Sequence, residues 1–395
     1  MNIFSRMTAR CDRPNHAGSS TPLRLNAPRR HHACAALRSR SPRLLALLSS
    51  CVVACKSATS ADHPASGSPS RTYRMGFSAN PPKATTASAI ATIEAWSPRA
   101  DAAIMHISVP YKSLLSGTTA TTYVNTVNVP LANYYRGKGF PLAITVDVTD
   151  GLNRSAEAPE LVELGRSITE PAVQAVYRQY VHELVSLIRP EYLGLAAETN
   201  LIRLQASSAV YGALVQMTNA AASEVRGIGG KLPLLYASVQ ADVAWGPPPA
   251  SYRGVETDFT DFAFVQVLAI SSYPYFVYAD PDQIPLDYYT RLARGRSLPI
   301  MVVEGGWTSA AVGSVQSSPI VQARYLRRQE RLLDSAKAIA VFELNYTDID
   351  ISAYPPQPPG SALALFTSIG LVDTAFKAKP ALATYDSIFG RPLSK

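Results

Sequence analysis

The sequence predicts an α/β fold, a single-domain (β/α)8 TIM barrel. Three observations lead to it: from Tyr73 onward short apolar runs alternate with helical stretches, eight such runs occur, and each is almost continuously apolar. Alternating strands and helices favour a parallel sheet, and strands that are covered on both faces are apolar along their whole length. Eight repeats over about 320 residues suit a barrel with insertions.

The eight predicted strands are 73–78, 102–109, 141–148, 192–198, 231–239, 264–272, 299–305 and 338–345. A doubly wound open sheet is the alternative. That fold carries a glycine-rich turn after its first strand, and the turn is absent from GFSANPP, which follows the first strand here.

Three helices have clear sequence signals. Residues 169–188 repeat apolar side chains at i, i+3, i+4 and i+7 after Thr169-Glu170-Pro171, and Arg189-Pro190 ends the pattern. Ser318-Pro319 predicts the start of a helix that runs to about Ala336. Residues 379–389 predict the closing helix.

The positive charge belongs to the N-terminal segment. The chain carries a net charge of +8, and residues 1–55 contain nine Arg and one acidic residue, which leaves the rest of the chain neutral. A basic surface for nucleic acid is therefore not expected in the folded part, and no nucleic-acid partner is predicted.

Residues 1–55 are predicted to be a leader and signal peptide of the lipoprotein type, followed by a flexible linker over 56–72 and the barrel over 73–395. Arginines precede an apolar run that is too short to span a bilayer. VVAC at 52–55 resembles a lipobox, which makes Cys55 the lipidation candidate, with Cys51 as the alternative. The protein is expected to be exported and either secreted or lipid-anchored in the cell envelope, with the membrane as a partner if the anchor is used.

Polar side chains end several of the predicted strands. Glu198 ends the fourth and Glu304 the seventh, and the others of this kind are His106, Asp147, Asn200, Tyr273 and Asn345. In a TIM barrel the carboxyl ends of the strands surround the active site, so we expect the two glutamates to face each other there. Two carboxylates suit glycoside hydrolysis, in which one donates a proton to the leaving oxygen and the other stays ionised.

Aromatic residues cluster near the same ends. Trp245, Tyr275 and Trp307 are candidates for contact with sugar rings, whose faces are rich in C–H groups. The alternative is ordinary packing within loops. The four cysteines all lie within the first 55 residues, and His106 and His182 are the only histidines of the barrel region. Neither a metal nor a cofactor is therefore expected, and the expected partner is a carbohydrate substrate.

These features resemble clan A of the retaining glycoside hydrolases, with glutamates ending strands four and seven and a tyrosine ending strand six. Within the clan, ISSYPYF at 270–276 and IMVVEGGW at 300–307 are similar to family 53, the endo-β-1,4-galactanases. The resemblance implies that Glu198 is the general acid/base, that Glu304 is the nucleophile, and that Tyr273 hydrogen-bonds the nucleophile.

The chain departs from the clan at two places. Ala197 stands where the clan has an asparagine that contacts the sugar, a role that Asn200 would have to take. A tryptophan at the end of strand eight is also missing. The predicted function is hydrolysis of O-glycosidic bonds in a β-linked poly- or oligosaccharide by a two-glutamate retaining mechanism. The alternative is a catalytically inactive carbohydrate-binding barrel lipoprotein.

Overall fold

The structure is a computed structural model that describes residues 69–246, 251–356 and 361–394. The predicted leader, with Cys51 and Cys55, and the linker up to residue 68 lie outside the described residues. Within the described ranges, every helix is too short or too polar to cross a bilayer.

Eight parallel strands form the barrel. They are β1 (Arg74–Phe77), β2 (Ala102–Ser108), β3 (Leu142–Asp147), β4 (Tyr192–Gly194), β5 (Leu234–Tyr236 and Ser238–Gln240), β6 (Leu268–Ser272), β7 (Ile300–Gly305) and β8 (Ala340–Glu343). The first half of β5 pairs with β4 and its second half pairs with β6, so the sheet closes on itself through the break at Ala237. The predicted TIM barrel is confirmed, and each strand lies inside its predicted range except β5, which extends one residue further, to Gln240.

Helices follow the strands and cover the barrel. The α-helices are Thr86–Trp96, Tyr111–Leu115, Ala120–Tyr123, Val129–Gly137, Pro159–Leu164, Pro171–Ile188, Thr199–Gln205, Ser208–Arg226, Ala241–Trp245, Glu256–Asp261, Thr290–Ala293, Pro319–Ala336 and Pro380–Phe389. Short 3-10 turns span Ser97–Arg99, Pro274–Phe276, Pro281–Gln283, Ile351–Ala353 and Ala362–Phe366, and Val124–Asn128 is a π-helical turn. The three helices predicted from their signals form, and the Ser318 side chain accepts a hydrogen bond from the backbone N–H of Val321, as an N-cap does.

Apolar side chains pack in two separate places. The larger core lies between the strands and the surrounding helices. A smaller cluster fills the inside of the barrel, where Tyr236 donates a hydrogen bond to the backbone carbonyl of Ile144. Gly194 makes room for this ring, because a Cβ at that position would lie 2.3 Å from it. The barrel is thus a filled core, and its carboxyl-terminal end is left for polar side chains.

Packed residues extend into the predicted linker. Arg71 is buried; its guanidinium donates hydrogen bonds to Asp101 and to the backbone carbonyl of Arg391 near the end of the chain. Residues 69–72 therefore belong to the folded unit, and the predicted boundary at Tyr73 is corrected to an earlier position. Sequence composition did not predict this packing, because residues 69–72 have no apolar periodicity and are held mainly by one buried arginine, Arg71.

Candidate active site

Glu198 and Glu304 meet at the carboxyl ends of the strands. The Oγ atom of Ser271 lies 2.6 Å from Glu198 Oε1 and 2.8 Å from Glu304 Oε1. Since both oxygens contact one atom, they lie no farther apart than the sum of those distances, about 5.4 Å. The predicted convergence of the two glutamates is therefore observed, and this upper limit is compatible with the spacing of about 5–5.5 Å that retaining glycosidases use.

A β-bulge turns Glu304 toward the site. Val302 pairs with Ile270 and Glu304 pairs with Ser271, which leaves Val303 as an extra residue in β7. Val303 already faces the inside of the barrel, so strict alternation would point Glu304 outward to the helices. A bulge places two successive side chains opposite one residue of the neighbouring strand and often re-aims a side chain beside an active site. Here it brings Glu304 onto the inner face.

Glu198 occupies an unusual backbone conformation. It follows β4 and directly precedes the helix Thr199–Gln205, with φ 50° and ψ 47° in the left-handed region. Its N–H donates a hydrogen bond to Ser238 Oγ at 3.0 Å, which ties this turn to β5. Non-glycine residues rarely adopt this conformation, and such strain concentrates at functional sites.

Arg154 joins the glutamate to a second carboxylate. It lies on an antiparallel hairpin, Thr149–Asp150 with Asn153–Glu157, that follows β3. Its Nη1 atom donates to Asp147 Oδ1 at 2.6 Å and its Nε atom donates to Glu198 Oε2 at 2.9 Å. The guanidinium is almost fully buried, so water screens these interactions only weakly.

The two carboxyl groups around Arg154 differ in their ionisation. Burial would raise the pKa of Asp147, but the charge and hydrogen bond of Arg154, together with the hydrogen bond from the Thr149 N–H, lower it overall. For Glu198, burial raises the pKa, and the neighbouring charge of Glu304 raises it further than Arg154 and Ser271 can offset. Asp147 therefore balances the arginine as an ionised carboxylate, and Glu198 is the one of the two whose pKa is shifted toward the protonated form.

Ser271 bridges the two carboxyl groups. Its Oγ atom lies within hydrogen-bond distance of both Glu198 Oε1 and Glu304 Oε1. A hydroxyl group has one hydrogen, so Ser271 can donate to only one of the two carboxyl groups at a time. The two glutamates therefore share one donor.

Tyr273 contacts the predicted nucleophile. Its hydroxyl group donates to Glu304 Oε1 at 3.4 Å, and its backbone N–H donates to Asp242 Oδ2 at 2.9 Å. Asp242 also accepts a hydrogen bond of 2.6 Å from the Tyr288 hydroxyl, and burial raises its pKa to about 7. Asp242 therefore fixes the backbone of Tyr273, whose side chain contacts Glu304.

His106 also lies in the site. Its Nδ1 atom lies 2.5 Å from Ser78 Oγ, and its Nε2 atom lies 3.6 Å from Glu304 Oε2. Burial lowers the pKa of His106 to about 3, so the ring is neutral at neutral pH. Of the predicted substrate contacts, His106 and Asp147 are the two that join the glutamate pair.

The two predicted asparagines have structural roles. The side-chain amide of Asn200 donates to the Gln240 carbonyl and accepts from the Gln240 N–H. Asn345 donates to the Phe366 carbonyl and accepts from Asn80. Both side chains are buried and hydrogen-bonded within the protein. Their substrate contacts stay predictions.

The three predicted aromatic residues pack within the protein. Trp307 is 1% exposed, packs against Tyr325 and donates its ring N–H to Ser317. Tyr275 is buried beside Trp307 and donates its hydroxyl hydrogen to the Leu365 carbonyl. Trp245 donates its ring N–H to the Tyr288 carbonyl and stacks on the Tyr288 ring. Their contacts with a sugar stay predictions beside the alternative of packing within loops.

Sequence reasoning missed Arg154 and Ser271. For Ser271 the signal was alternation along β6: Val267 and Ala269 face the barrel interior, so the next residue on that face is Ser271. For Arg154 the signal was weaker. Arg203 is the arginine nearest to Glu198 in the sequence, but it binds Asp258, and Arg154 lies in a hairpin with no distinctive pattern.

In the part of the chain that the structure describes, no group of three or more histidine, cysteine, aspartate and glutamate residues has the geometry to hold a metal ion. The polar groups that converge at the barrel end therefore make a site of carboxyl, guanidinium and hydroxyl groups. Such a set suits proton transfer and the stabilisation of charge on a neutral substrate.

Several solved structures share this fold. A GH5_18 protein from Bifidobacterium longum subsp. longum, solved with Manb1-4GlcNAc, has a TM-score of 0.56 and 13% identity, covering 82% of this chain and 80% of its own. A GH5_18 protein from Streptomyces cattleya, solved with GlcNAc, has a TM-score of 0.55 and 16% identity, covering 82% and 83%. The exo-beta-1,4-mannosidase Op5Man5 from Opitutaceae bacterium strain TAV5 has a TM-score of 0.55 and 14% identity, covering 81% of this chain and 59% of that one.

No protein-family model and no curated protein sequence matches the chain. At identities of 13–16% the structural likeness shows a shared barrel fold. The fold that clan A implied is thereby confirmed, and membership of family 53 stays a prediction.

Proposed function

We propose that this protein hydrolyses O-glycosidic bonds in a β-linked oligo- or polysaccharide with retention of configuration. The observation that carries the proposal is the bridge through Ser271, which keeps the carboxyl oxygens of Glu198 and Glu304 within about 5.4 Å of each other. That distance suits direct attack by one carboxylate, since an inverting enzyme needs roughly 6.5–9.5 Å to admit a water.

The reaction has two steps. Glu304 attacks the anomeric carbon as the bond to the leaving oxygen breaks, and Glu198 gives its proton to that oxygen. Glu198 then takes a proton from a water molecule, which attacks the anomeric carbon and releases Glu304. The raised pKa of Glu198 suits the donor, and the hydroxyl groups of Ser271 and Tyr273 suit an ionised Glu304.

Binding without turnover is the second candidate function. Arg154 occupies Oε2 of Glu198, and Ala197 supplies no polar contact where clan A has an asparagine. Both features favour a carbohydrate-binding barrel in which Glu198 no longer donates a proton. A panel of aryl β-glycosides and β-glycans, including β-1,4-galactan and β-mannosides, separates the two candidates when it is run beside a glycan-binding array. Binding with no hydrolysis at any pH would favour the second.

The nucleophile is tested by substitution. Glu304→Gln should lower kcat by at least about 10⁴-fold with little change in folding, because an amide does not attack the anomeric carbon. Glu343→Gln is the matched control: this buried carboxyl group lies outside the proposed chemistry, so its replacement should leave kcat within about threefold of wild type. Wild-type rates in Glu304→Gln would overturn the assignment.

The acid/base is tested by azide rescue. Glu198→Ala should turn over an activated aryl β-glycoside faster in azide and release the β-glycosyl azide, because azide replaces water in the second step. Glu304→Ala with azide should instead give the α-glycosyl azide, since azide then attacks the substrate directly. The anomeric configuration of each product, measured by NMR, distinguishes the two roles. The same anomer from both variants would contradict the pairing of roles.

A further inference from the structure

Arg154 is the cation that contacts the predicted acid/base. Its Nε atom donates a hydrogen bond of 2.9 Å to Glu198 Oε2, and its Nη1 atom donates bonds of 2.6 Å to Asp147 Oδ1 and 3.1 Å to Thr149 Oγ1. The Arg154 side chain is 2% exposed, and Glu198 is buried as well. The guanidinium is thus fixed at three points, and its charge acts on Glu198 with little screening by water.

The contact also gives the two carboxyl oxygens of Glu198 different roles. Oε2 accepts a hydrogen bond from Arg154, whereas Oε1 lies 2.6 Å from Ser271 Oγ, the atom that also contacts Glu304. A carboxyl oxygen that carries a proton is a poor acceptor for a charged donor, so the ion pair keeps the proton off Oε2. Arg154 therefore orients the carboxyl group so that Oε1 is the oxygen left for proton transfer.

The proposed reaction moves a negative charge from one glutamate to the other. In the first step an oxygen of Glu304 bonds to the anomeric carbon, the bond to the leaving oxygen breaks, and the proton of Glu198 goes to that oxygen. Glu304 is then an uncharged ester and Glu198 is a carboxylate. In the second step water gives a proton to Glu198, its oxygen bonds to the anomeric carbon, and the ester bond to Glu304 breaks.

Arg154 favours the state between these two steps. Its ion pair with Glu198 reaches full strength only when Glu198 is ionised, and the ionised form is the one that accepts a proton from water. We propose that Arg154 is a positioning residue for the second step, which holds Glu198 as a carboxylate in the glycosyl intermediate and so keeps it able to act as a base. This inference rests on the proposed function, because it concerns one step of that reaction.

The other ionisable groups around Glu198 do not supply the same charge. Burial lowers the pKa of His106 to about 3, so this ring is neutral at neutral pH. Arg203 pairs with Asp258 at 2.9 Å. The remaining groups near Glu198 are acids or a phenol, namely Asp147 on β3, Asp242 after β5, Tyr273 after β6 and Glu304 on β7. Among the described residues, Arg154 is therefore the one cation paired with Glu198.

Two variants isolate the charge of Arg154 without leaving an acid buried beside no cation. Asp147→Asn removes an acid and keeps the cation, and Asp147→Asn combined with Arg154→Gln removes both. The substrate is an activated aryl β-glycoside, whose leaving group needs no proton, so that the second step limits kcat; a burst of the aryl alcohol before the steady state verifies this. The acid limb of kcat then follows the ionisation of Glu198 in the intermediate.

The acid limb should move in opposite directions in the two variants. In Asp147→Asn it should lie at lower pH than in the wild type, because one negative charge near Glu198 is gone. In the double variant it should lie at higher pH than in the wild type, by roughly one pH unit or more, because the directly bonded cation is lost. An acid limb of the double variant that coincides with the wild type would overturn the proposal.

Arg203→Gln combined with Asp258→Asn is the matched control. It neutralises another arginine–aspartate pair, and Arg203 lies on the helix Thr199–Gln205 that directly follows Glu198. Its acid limb should coincide with that of the wild type. Equal shifts in the two double variants would assign the effect to packing around Glu198 and would also overturn the proposal.

Carbon-13 NMR of the Glu198 carboxyl group provides a test that needs no turnover. Glu304→Gln places an uncharged amide where the reaction places an uncharged ester, so this protein represents the charge of the intermediate. Adding Asp147→Asn and Arg154→Gln should raise the titration midpoint of Glu198 by roughly one pH unit or more, whereas adding the control pair should leave the midpoint unchanged. A midpoint that stays in place without Arg154 would contradict its role.

These outcomes are distinguishable from failure of the proposed function. If the wild-type protein hydrolyses no glycoside and the midpoint of Glu198 still moves, the proposed function falls while the hold of Arg154 on the ionised glutamate stands. If the wild-type protein hydrolyses glycosides with retention and neither the acid limb nor the midpoint moves, the function holds and the assignment of Arg154 falls.

Discussion

At the scale of the residue, Ser271 is the group on which the site depends most. Its oxygen contacts both glutamates, so it limits their separation and takes part in their proton count. Neighbouring Ser272 faces the other way and pairs with the Tyr289 hydroxyl at 3.1 Å. Two adjacent serines thus have different roles because successive side chains of a strand point to opposite faces.

Ser271→Ala should move the pH dependence of activity. The Ser271 hydroxyl lowers the pKa of Glu198, so its loss should shift the alkaline limb of kcat/KM to higher pH. The same change removes a donor to Glu304 and should lower kcat by roughly tenfold. Measuring kcat/KM between about pH 4 and pH 9 checks this shift, because that range should span the alkaline limb.

Ser272→Ala is the control for that experiment, because it removes a hydroxyl group on the helix side of the same strand. Its alkaline limb should coincide with that of the wild type. An equal shift in both variants would mean that the effect comes from packing in β6 and not from the bridge.

The predicted residues that the structure brings together share one property. Glu198, Glu304, Tyr273, His106 and Asp147 each stand at or just after the end of a strand, and barrel topology brings such positions together. Their hydrogen-bond partners were not predictable in this way. Whether an asparagine amide meets a sugar or a backbone group depends on contacts made across the chain, and a single sequence carries no signal of them.

At the scale of the element, the hairpin after β3 and the bulge in β7 build the site together. The bulge at Val303 turns Glu304 inward, and the hairpin delivers Arg154 to the opposite glutamate. Strand positions were predictable from apolar runs. The bulge was not, since PIMVVEGGW reads as an uninterrupted strand and the extra residue is visible only against its neighbour.

Arg154→Met should destabilise the protein by roughly 3–5 kcal/mol, because it leaves Asp147 and Glu198 buried beside each other with no cation. Urea unfolding at pH 7 measures the loss of unfolding free energy, because Asp147, with its lowered pKa, is ionised there. Adding Asp147→Asn to this variant should recover part of that free energy, since one buried charge is then removed.

Arg178→Met is the matched control on a helix surface. Arg178 pairs with Glu224 at 2.8 Å, but Arg178 is partly exposed and Glu224 is exposed, so the loss of this pair should cost less than about 1 kcal/mol. Equal losses of unfolding free energy in Arg154→Met and Arg178→Met would contradict the view that burial strengthens the ion pairs of Arg154.

At the scale of the whole molecule, the barrel wall contains a buried acid outside the site. Glu343 ends β8, pairs in register with Phe77, and burial raises its pKa to about 7. In the unfolded chain the ordinary pKa of glutamate is near 4.3. Between those values the folded protein keeps a proton that the unfolded chain has lost, so stability falls as pH rises.

Glu343→Gln should remove this dependence. Between pH 4.5 and pH 8, the free energy of unfolding should fall less in the variant than in the wild type, by up to about 3 kcal/mol. Urea unfolding at several pH values measures the difference. Glu183→Gln, at a side chain on the outer surface of the helix Pro171–Ile188, should keep the wild-type slope. A slope that persists in Glu343→Gln would assign the effect to another group, with Asp242 the next to test.

The filled interior of the barrel limits how molecules reach the site. Ring and aliphatic side chains, among them Tyr236, Met301 and Phe342, occupy the axis beneath the glutamates, so nothing enters from the amino-terminal end. Under the proposed function, the sugar, the leaving alcohol and the attacking water would all reach the glutamates from the carboxyl-terminal end. We then expect the alcohol to leave before the water attacks, so a bulky leaving group that dissociates slowly would prolong the glycosyl intermediate on Glu304.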